Sequence, residues 1–306
     1  MTPVAAIAVR RRARATPMKL PSAGDPRQPL PIPLPAPPPK DQRGLRTPIV
    51  EGPQHLFHDP PPLPSVQDRI RLVLADIDLS APAIVIWVPG SSEYWIKQRF
   101  LDELHADLPR ADVTMIPYEA TWRFSHSVPD GAAVLSGVLA ELRRRAPGRP
   151  VLLAGESQGA WVISTVLQDP AAAAQVTRTS IWGHPAAAPQ EFGRPGTVRE
   201  TNSPSDIVTI PLGPDPGRVI QGVEALSSKH FATGLAILGS YAVQRPDMVV
   251  KLLRAISFAI PVIGGEQRNA HDYDDDLGNG VAFLLAGLSP ATRRRLGARS
   301  GLRSAG

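Results

Sequence analysis

The residues with the clearest chemical potential are Gly155-Glu156-Ser157-Gln158-Gly159. A short apolar run at 151–154 precedes them, and an apolar stretch at helical spacing follows them. This order is the strand, sharp turn and helix of a nucleophile elbow. The two glycines have a physical role, because a serine on a strained turn brings neighbouring backbones so close that only residues without a Cβ fit. The pattern predicts Ser157 as a nucleophile.

A serine hydroxyl is a poor nucleophile at neutral pH, so it needs a histidine base, and that base needs an acid to orient it. After a strand–turn–helix elbow the acid comes next along the chain, and the histidine follows it. Asp206 lies just after a predicted strand and is the favoured acid. An Asx turn after Pro204 is the alternative role for Asp206, and Asp215 is the second candidate acid.

Seven histidines compete for the role of base. His271 lies downstream of Asp206, in an acidic loop that precedes the last helical segment, and is the favoured base. His184 follows a predicted strand, and His230 lies in a partly apolar helical segment, so both remain alternatives.

The tetrahedral intermediate of acyl transfer also needs hydrogen-bond donors around its oxyanion. The backbone N–H of Gln158 and the residue Ser91, in the loop after the first core strand, occupy the expected positions. A carboxylate that pointed into this site would oppose the developing negative charge. We therefore expect Glu156 to be exposed beside Ser157 and to point away from the site.

These residues need a scaffold of alternating strands and helices. The sequence predicts helices at 66–79 and 95–108, and a third that Asp130 caps and that runs to residue 145. Predicted strands cover 83–88, 113–118, 151–154, 179–183 and 197–201. This alternation indicates an α/β fold, a three-layer sandwich with a mostly parallel central sheet. Ligands of such sheets bind beyond the carboxyl ends of the strands, where the candidate residues lie.

A helical insert at 212–265 separates Asp206 from His271, with helical patterns at 219–241 and 246–259. Its many apolar residues must be buried, either against the sheet or each other, or as a lid that presents an apolar groove.

Proline and charge divide the chain into three parts. Of 35 prolines, 17 lie in the first 65 residues, so residues 1–65 are predicted to be a disordered basic arm. Residues 66–288 form the predicted domain, and 289–306 a basic tail. Residues 1–50 carry +7 and 289–306 carry +5, which leaves −7 for the remainder of a chain with net charge +5. The basic tails are candidates for weak electrostatic docking to an anionic envelope surface, whereas the domain itself is not expected to bind nucleic acid.

The chain has no cysteine, which excludes disulfides, a thiol nucleophile and cysteine-ligated metals. No Sec signal and no transmembrane run is apparent, which favours a cytoplasmic protein or release without a Sec signal. The chemistry requires no metal and no organic cofactor.

Together, four features resemble the cutinase-like serine esterases of the α/β-hydrolase superfamily. They are the loop 90–93, the elbow, Asp206-Ile-Val208, and His271 with Tyr273. The resemblance covers roughly residues 83–288 and implies Ser157, Asp206 and His271 as a triad, with Ser91 and Gln158 at the oxyanion hole. Typical members carry disulfides, more often have tyrosine before the nucleophile, and place acid and base close together. The long insert and Ile181-Trp-Gly-His-Pro185 are more similar to mycobacteriophage lysin B enzymes, which cleave mycolyl esters of arabinogalactan.

The leading hypothesis is a serine carboxylic-ester hydrolase that acts on lipid or polyester-type esters, including cell-envelope mycolyl esters, through an acyl-enzyme. A second hypothesis is a catalytically silent scaffold of the same fold that binds envelope glycolipid or a partner protein. A third is thioester or peptide hydrolysis by the same triad.

Overall fold

The computed structural model describes residues 63–203, 206, 208–209, 216–227, 230–244 and 273–297. Most of the predicted arm, the second helical pattern of the insert, Asp215 and His271 lie outside the described residues. Within the described ranges, no helix is long and apolar enough to cross a lipid bilayer.

One parallel sheet organises the described residues. Its strands are β1 (Ile84–Val88), β2 (Val113–Met115), β3 (Val151–Glu156), β4 (Arg178–Trp182) and β5 (Val198–Thr201). They are arranged in the order β2-β1-β3-β4-β5, and every neighbouring pair is parallel. All residues of β1 and β3 are buried, as expected of apolar strands covered on both faces. The chain changes direction across the sheet between β1 and β3, so their carboxyl ends border the crevice where such sheets bind ligands.

Helices cover both faces of the sheet. They are α1 (Val66–Asp76), α2 (Gln98–Asp107), α3 (Phe124–Arg145), α4 (Gln158–Val166), α5 (Pro170–Gln175), α6 (Pro216–Ser227), α7 (Phe231–Gln244), α8 (Leu277–Ala286) and α9 (Pro290–Arg295). Side chains of α1, α3, α4 and α5 share one hydrophobic cluster with one face of the sheet. Side chains of α2 and α8 share a second cluster with the other face, centred on Trp87 and Trp182. The predicted three-layer α/β sandwich is confirmed.

The third helix begins earlier than predicted, because Asp130 is not its cap. Helix α3 starts at Phe124, and Asp130 lies inside it. The Asp130 carboxylate instead accepts hydrogen bonds of 2.7 and 2.5 Å from the buried guanidinium of Arg69. It also accepts the backbone N–H of Glu119 at 3.0 Å. A buried guanidinium needs a carboxylate partner, and this requirement determines the position of Asp130.

The insert contains two described helices where the sequence predicted one at 219–241. Helix α6 ends at Ser227 and α7 begins at Phe231; we call this pair the insert hairpin. Gly222 allows the two helices to pack closely, because a Cβ there would lie 2.6 Å from Leu238. Glu224 of α6 accepts hydrogen bonds from the N–H and hydroxyl of Ser125, at 2.5 and 3.1 Å. The hairpin therefore contacts the first turn of α3.

Ordered structure also extends past residue 288, where the basic tail was predicted to start. Ser289 caps α9 by accepting the N–H of Thr292 at 3.1 Å. Leu296 is buried in the cluster on the α2 face of the sheet, and its carbonyl accepts the N–H of Arg110 at 3.2 Å. Residues 289–297 therefore pack against the domain, and the remainder of the predicted tail lies outside the described residues.

Candidate active site

Ser157 lies in a strained turn at the carboxyl end of β3. Its φ is 54° and its ψ is −119°, a conformation that residues with a side chain rarely adopt. The N–H of Ser157 donates to the carbonyl of Trp182 at the end of β4, at 2.9 Å. Its own carbonyl accepts the N–H of Trp161 in the first turn of α4, at 3.2 Å. Ser157 therefore joins strand and helix as the elbow pattern predicted.

Gly159 is held against the end of β1. A Cβ at this position would lie 2.1 Å from the carbonyl oxygen of Val88 and 2.6 Å from that of Pro89. A Cβ at Gly155 would lie 2.7 Å from the Ile163 side chain and 3.0 Å from the same Val88 oxygen. The Val88 and Pro89 oxygens are backbone atoms that cannot rotate aside, which explains why this turn favours glycine on both sides of the serine.

The predicted oxyanion-hole residues lie next to each other. The Ser91 hydroxyl is 3.4 Å from the side-chain oxygen of Gln158. Gln158 is buried, and its side-chain amide donates to the carbonyl of Thr121 at 2.8 Å. The N–H of Ser92, whose φ is 62°, donates to Ala120 at 2.6 Å and fixes the loop after β1.

The Tyr118 side chain also holds the loop after β1 in place. Its hydroxyl donates to the carbonyl of Pro89 at 2.7 Å and lies 3.4 Å from the side-chain oxygen of Gln158. Burial raises the pKa of Tyr118 well above its ordinary value, so the hydroxyl keeps its proton and remains a donor.

Asp206 is fully buried and is oriented through both carboxylate oxygens. One oxygen accepts the N–H of Val208 at 2.9 Å, and the other accepts the hydroxyl of Tyr273 at 2.6 Å. The Tyr273 oxygen in turn accepts the N–H of Ser203 at 3.0 Å. Burial and the hydrogen bond to Asp206 raise the pKa of Tyr273 well above its ordinary value, so the phenol stays protonated. The segment after His271 thus contacts the candidate acid through Tyr273.

The alternative bases have other contacts. The His184 side chain is completely buried, with Nδ1 at 3.2 Å from a carboxylate oxygen of Glu200. Its ring packs edge-on against Phe192 at a centroid distance of 5.1 Å. The nearby imidazole lowers the pKa of Glu200. His230 is exposed, and its backbone joins α6 to α7 through bonds to Ala225 and Gly234. Among the described residues, neither histidine has a hydrogen bond to Ser157.

Glu156 is buried, not exposed as the sequence suggested. Its carboxylate oxygens lie 2.8 and 2.6 Å from Nζ of Lys97, the residue before α2. Burial alone would lower the pKa of Lys97, but the facing carboxylates, Glu156 foremost, raise it well above its ordinary value. Lys97 is therefore charged, and the expectation of an exposed Glu156 was wrong because its partner lies 59 positions away.

Sequence reasoning missed Lys97 and Tyr118 as supporting residues of the site, and it noted Tyr273 only as part of the resemblance, without a role. A compositional signal existed for the first of them. The chain has five lysines among 33 basic residues, and Lys97 is the only one between residues 41 and 228. Lysine and arginine are not interchangeable in a buried pair, because the lysine ammonium is a compact point charge.

The groups are of the types that acyl transfer needs. Ser157 lies on a strained turn, the Ser91 hydroxyl is close to the side chain of Gln158, the next residue after the serine, and Asp206 is buried as an oriented carboxylate. Over the described ranges, no cluster of three or more histidine, aspartate or glutamate side chains is arranged to hold a metal ion.

The sequence matches no protein-family model and no curated protein. Several solved structures are similar. A cutinase-like protein from Cryptococcus sp. is 17% identical over 51% of this chain and 96% of its own, with a TM-score of 0.36. A Trichoderma reesei cutinase, solved with a phosphonate inhibitor, is 12% identical over 73% and 87%, with a TM-score of 0.40. An acetyl xylan esterase is 18% identical over 53% and 99%, with a TM-score of 0.37. Likeness at this level carries no information about substrate, so function has to follow from the site.

Proposed function

We propose that this chain is a serine carboxylic-ester hydrolase with Ser157 as its nucleophile. The observation that carries the proposal is the strained backbone of Ser157, with φ of 54°, at the crevice between the ends of β1 and β3. Strain of this kind persists where the surrounding structure imposes it, and it clusters at active sites. A serine with no chemical role would have no need of a turn that requires glycine on both sides.

The other roles follow from the chemistry of ester cleavage. His271 takes the Ser157 proton as the hydroxyl oxygen attacks the ester carbonyl, and Asp206 stabilises the imidazolium that forms. The Gln158 N–H and Ser91 donate to the oxyanion of the tetrahedral intermediate. The alcohol leaves with the proton from His271, and water then hydrolyses the acyl-enzyme by the same base. Support for His271 is the contact of Tyr273, two positions later, with Asp206.

The substrate class that we propose is lipid or polyester-type esters. The resemblance to lysin B enzymes makes mycolyl esters of the cell envelope the natural substrates to assay first. A panel of p-nitrophenyl esters of increasing acyl length, one thioester and one peptide substrate distinguishes this proposal from thioester or peptide hydrolysis.

The decisive experiment labels the protein with a fluorophosphonate probe and locates the adduct by mass spectrometry. We expect labelling and ester turnover in the wild type, and neither in Ser157→Ala. The matched control is Ser136→Ala on the exposed surface of α3, which should keep both. A wild-type chain that is folded but shows no labelling and no turnover would favour the silent scaffold instead.

A second comparison identifies the base. His271→Ala should reduce turnover by roughly 10⁶-fold, the loss expected when the histidine base of a triad is removed, whereas His184→Ala should act mainly through stability. Equal loss of turnover in a folded His184→Ala protein would transfer the role of base to His184.

A further inference from the structure

We propose that Lys97 is a positioning residue for the ester hydrolysis proposed above, because it holds and neutralises the Glu156 carboxylate directly behind the nucleophile. The proposal rests on Ser157 being that nucleophile. Neither residue touches the reacting atoms; both act through the elbow.

The ion pair lies at the junction of three segments. Glu156 is the last residue of β3 and immediately precedes Ser157. Lys97 immediately precedes α2, and its Nζ is also 3.6 Å from Asp274. Asp274 follows Tyr273, which binds Asp206. The ammonium group thus links the nucleophile strand to the segment that orients the candidate acid.

Burial makes the charge balance important. Only 5% of the Glu156 side chain and 17% of the Lys97 side chain is exposed. At a site of low dielectric, a carboxylate without a neutralising cation would oppose the negative charge that develops on the oxyanion. With Lys97 in place, the tetrahedral intermediate forms beside a neutral pair.

Fold stability alone gives no reason for this pair. Removing two charges from water costs several kcal/mol per ion, and well-packed apolar side chains often replace buried ion pairs without loss. Trp87, Phe100 and Trp182 show that the α2 face of the sheet already packs apolar groups closely, with ring centroids 4.9–6.4 Å apart. Apolar side chains at this face would therefore be expected to serve stability as well as the ion pair does, which favours a role for the pair in the reaction.

Lys97→Met tests the proposal. We expect kcat/KM for a p-nitrophenyl ester to fall about 100-fold, the scale of a misplaced or opposed reacting group. Adding Glu156→Gln removes the carboxylate charge that Lys97 no longer balances and should restore kcat/KM to within about fivefold of the wild type. The matched control is Arg99→Met, which removes a basic residue from an exposed pair with Glu103 on the same helix and should change nothing measurable.

Recovery in the double variant provides a readout that loss of packing would not produce. Glu156→Gln removes the carboxylate charge, but it does not restore the packing of the lysine side chain.

The outcomes are separable. If the wild type is not labelled by the fluorophosphonate, the proposed function fails and Lys97 has no reaction to support. If the wild type is labelled and Lys97→Met retains full activity, the role of Lys97 is overturned while the proposed function stands. A folded double variant as inactive as Lys97→Met also overturns it. If Lys97→Met does not fold, the double variant alone tests the proposal. Its activity should then lie within about fivefold of the wild type, and a loss of about 100-fold would contradict the proposal.

Discussion

Replacement of Gly159 by alanine tests whether close backbone packing holds the elbow in its reactive geometry. The new Cβ would lie 2.1 Å from the carbonyl oxygen of Val88, whereas an ordinary van der Waals contact is 3.4–4 Å. Because that oxygen belongs to β1, a central strand of the sheet, α4 must move away by roughly 1 Å. A displacement of that size costs about 10²-fold in rate, and the overpacking costs about 1–3 kcal/mol in unfolding free energy.

The assay measures the second-order rate of fluorophosphonate labelling together with thermal unfolding. We expect labelling to slow about 100-fold and Tm to fall by about 2–4 °C per kcal/mol lost. Gly239→Ala is the matched control, because among the described residues no atom outside its own helix backbone lies within 4 Å of the added Cβ. As an exposed helical position, it should gain about 0.5–1 kcal/mol. Wild-type labelling and Tm in Gly159→Ala would refute the reasoning, since the close contact would then impose nothing on Ser157.

Three further changes test the contacts around the site. Tyr273→Phe removes the hydrogen bond to the buried Asp206 carboxylate and should lower the unfolding free energy by about 1.5–3 kcal/mol in urea titrations. Arg69→Met leaves Asp130 without its buried partner and should cost about 3–5 kcal/mol in the same assay. Asp276 accepts two hydrogen bonds from the guanidinium of Arg199, at 2.7 and 2.9 Å. Burial alone would raise the pKa of Asp276, but Arg199 lowers it to about 2. This carboxylate therefore stabilises the fold above pH about 4, and the contribution is lost as pH falls towards 2; Asp276→Asn should flatten that part of a Tm–pH curve.

Each of these expectations has a contradicting result. Unchanged stability in Tyr273→Phe would mean that the other contacts of Asp206, including the Val208 N–H, suffice to hold the acid. Arg71→Met removes an exposed i,i+3 pair and should cost less than about 1 kcal/mol, so equal losses in the Arg69 and Arg71 variants would refute the burial argument. An acid decline in Asp276→Asn identical to that of the wild type would show that other carboxyl groups determine it.

The elements that sequence reasoning located best are those specified by short-range pattern. The strands β1 and β3 are continuous apolar runs, and the elbow combines such a run with glycines at fixed spacing, so both were predictable from a few neighbouring residues. The break between α6 and α7 was not, because Ser227, Ser228, Lys229 and His230 contain neither glycine nor proline to mark it.

Long-range pairing accounts for the main errors. Asp130 has the residue type of a helix cap, but Arg69, 61 positions earlier, determines its role. Glu156 has the residue type of an exposed position, but its ion pair with Lys97 allows it to be buried. A charged residue reveals its own propensity in the sequence, whereas its burial depends on a partner that only the packed sheet brings near.

The insert hairpin has a small hydrophobic cluster of its own, formed by Val219, Leu238 and Tyr241. In the described part of the chain, this cluster shares no buried residue with the two that cover the sheet. Regions with their own few buried contacts open locally at lower free energy than the core. The amides of α6 and α7 should therefore exchange hydrogen with solvent while those of β1 and β3 remain protected. Sequence changes in the hairpin can consequently accumulate without disturbing the strands that hold Ser157.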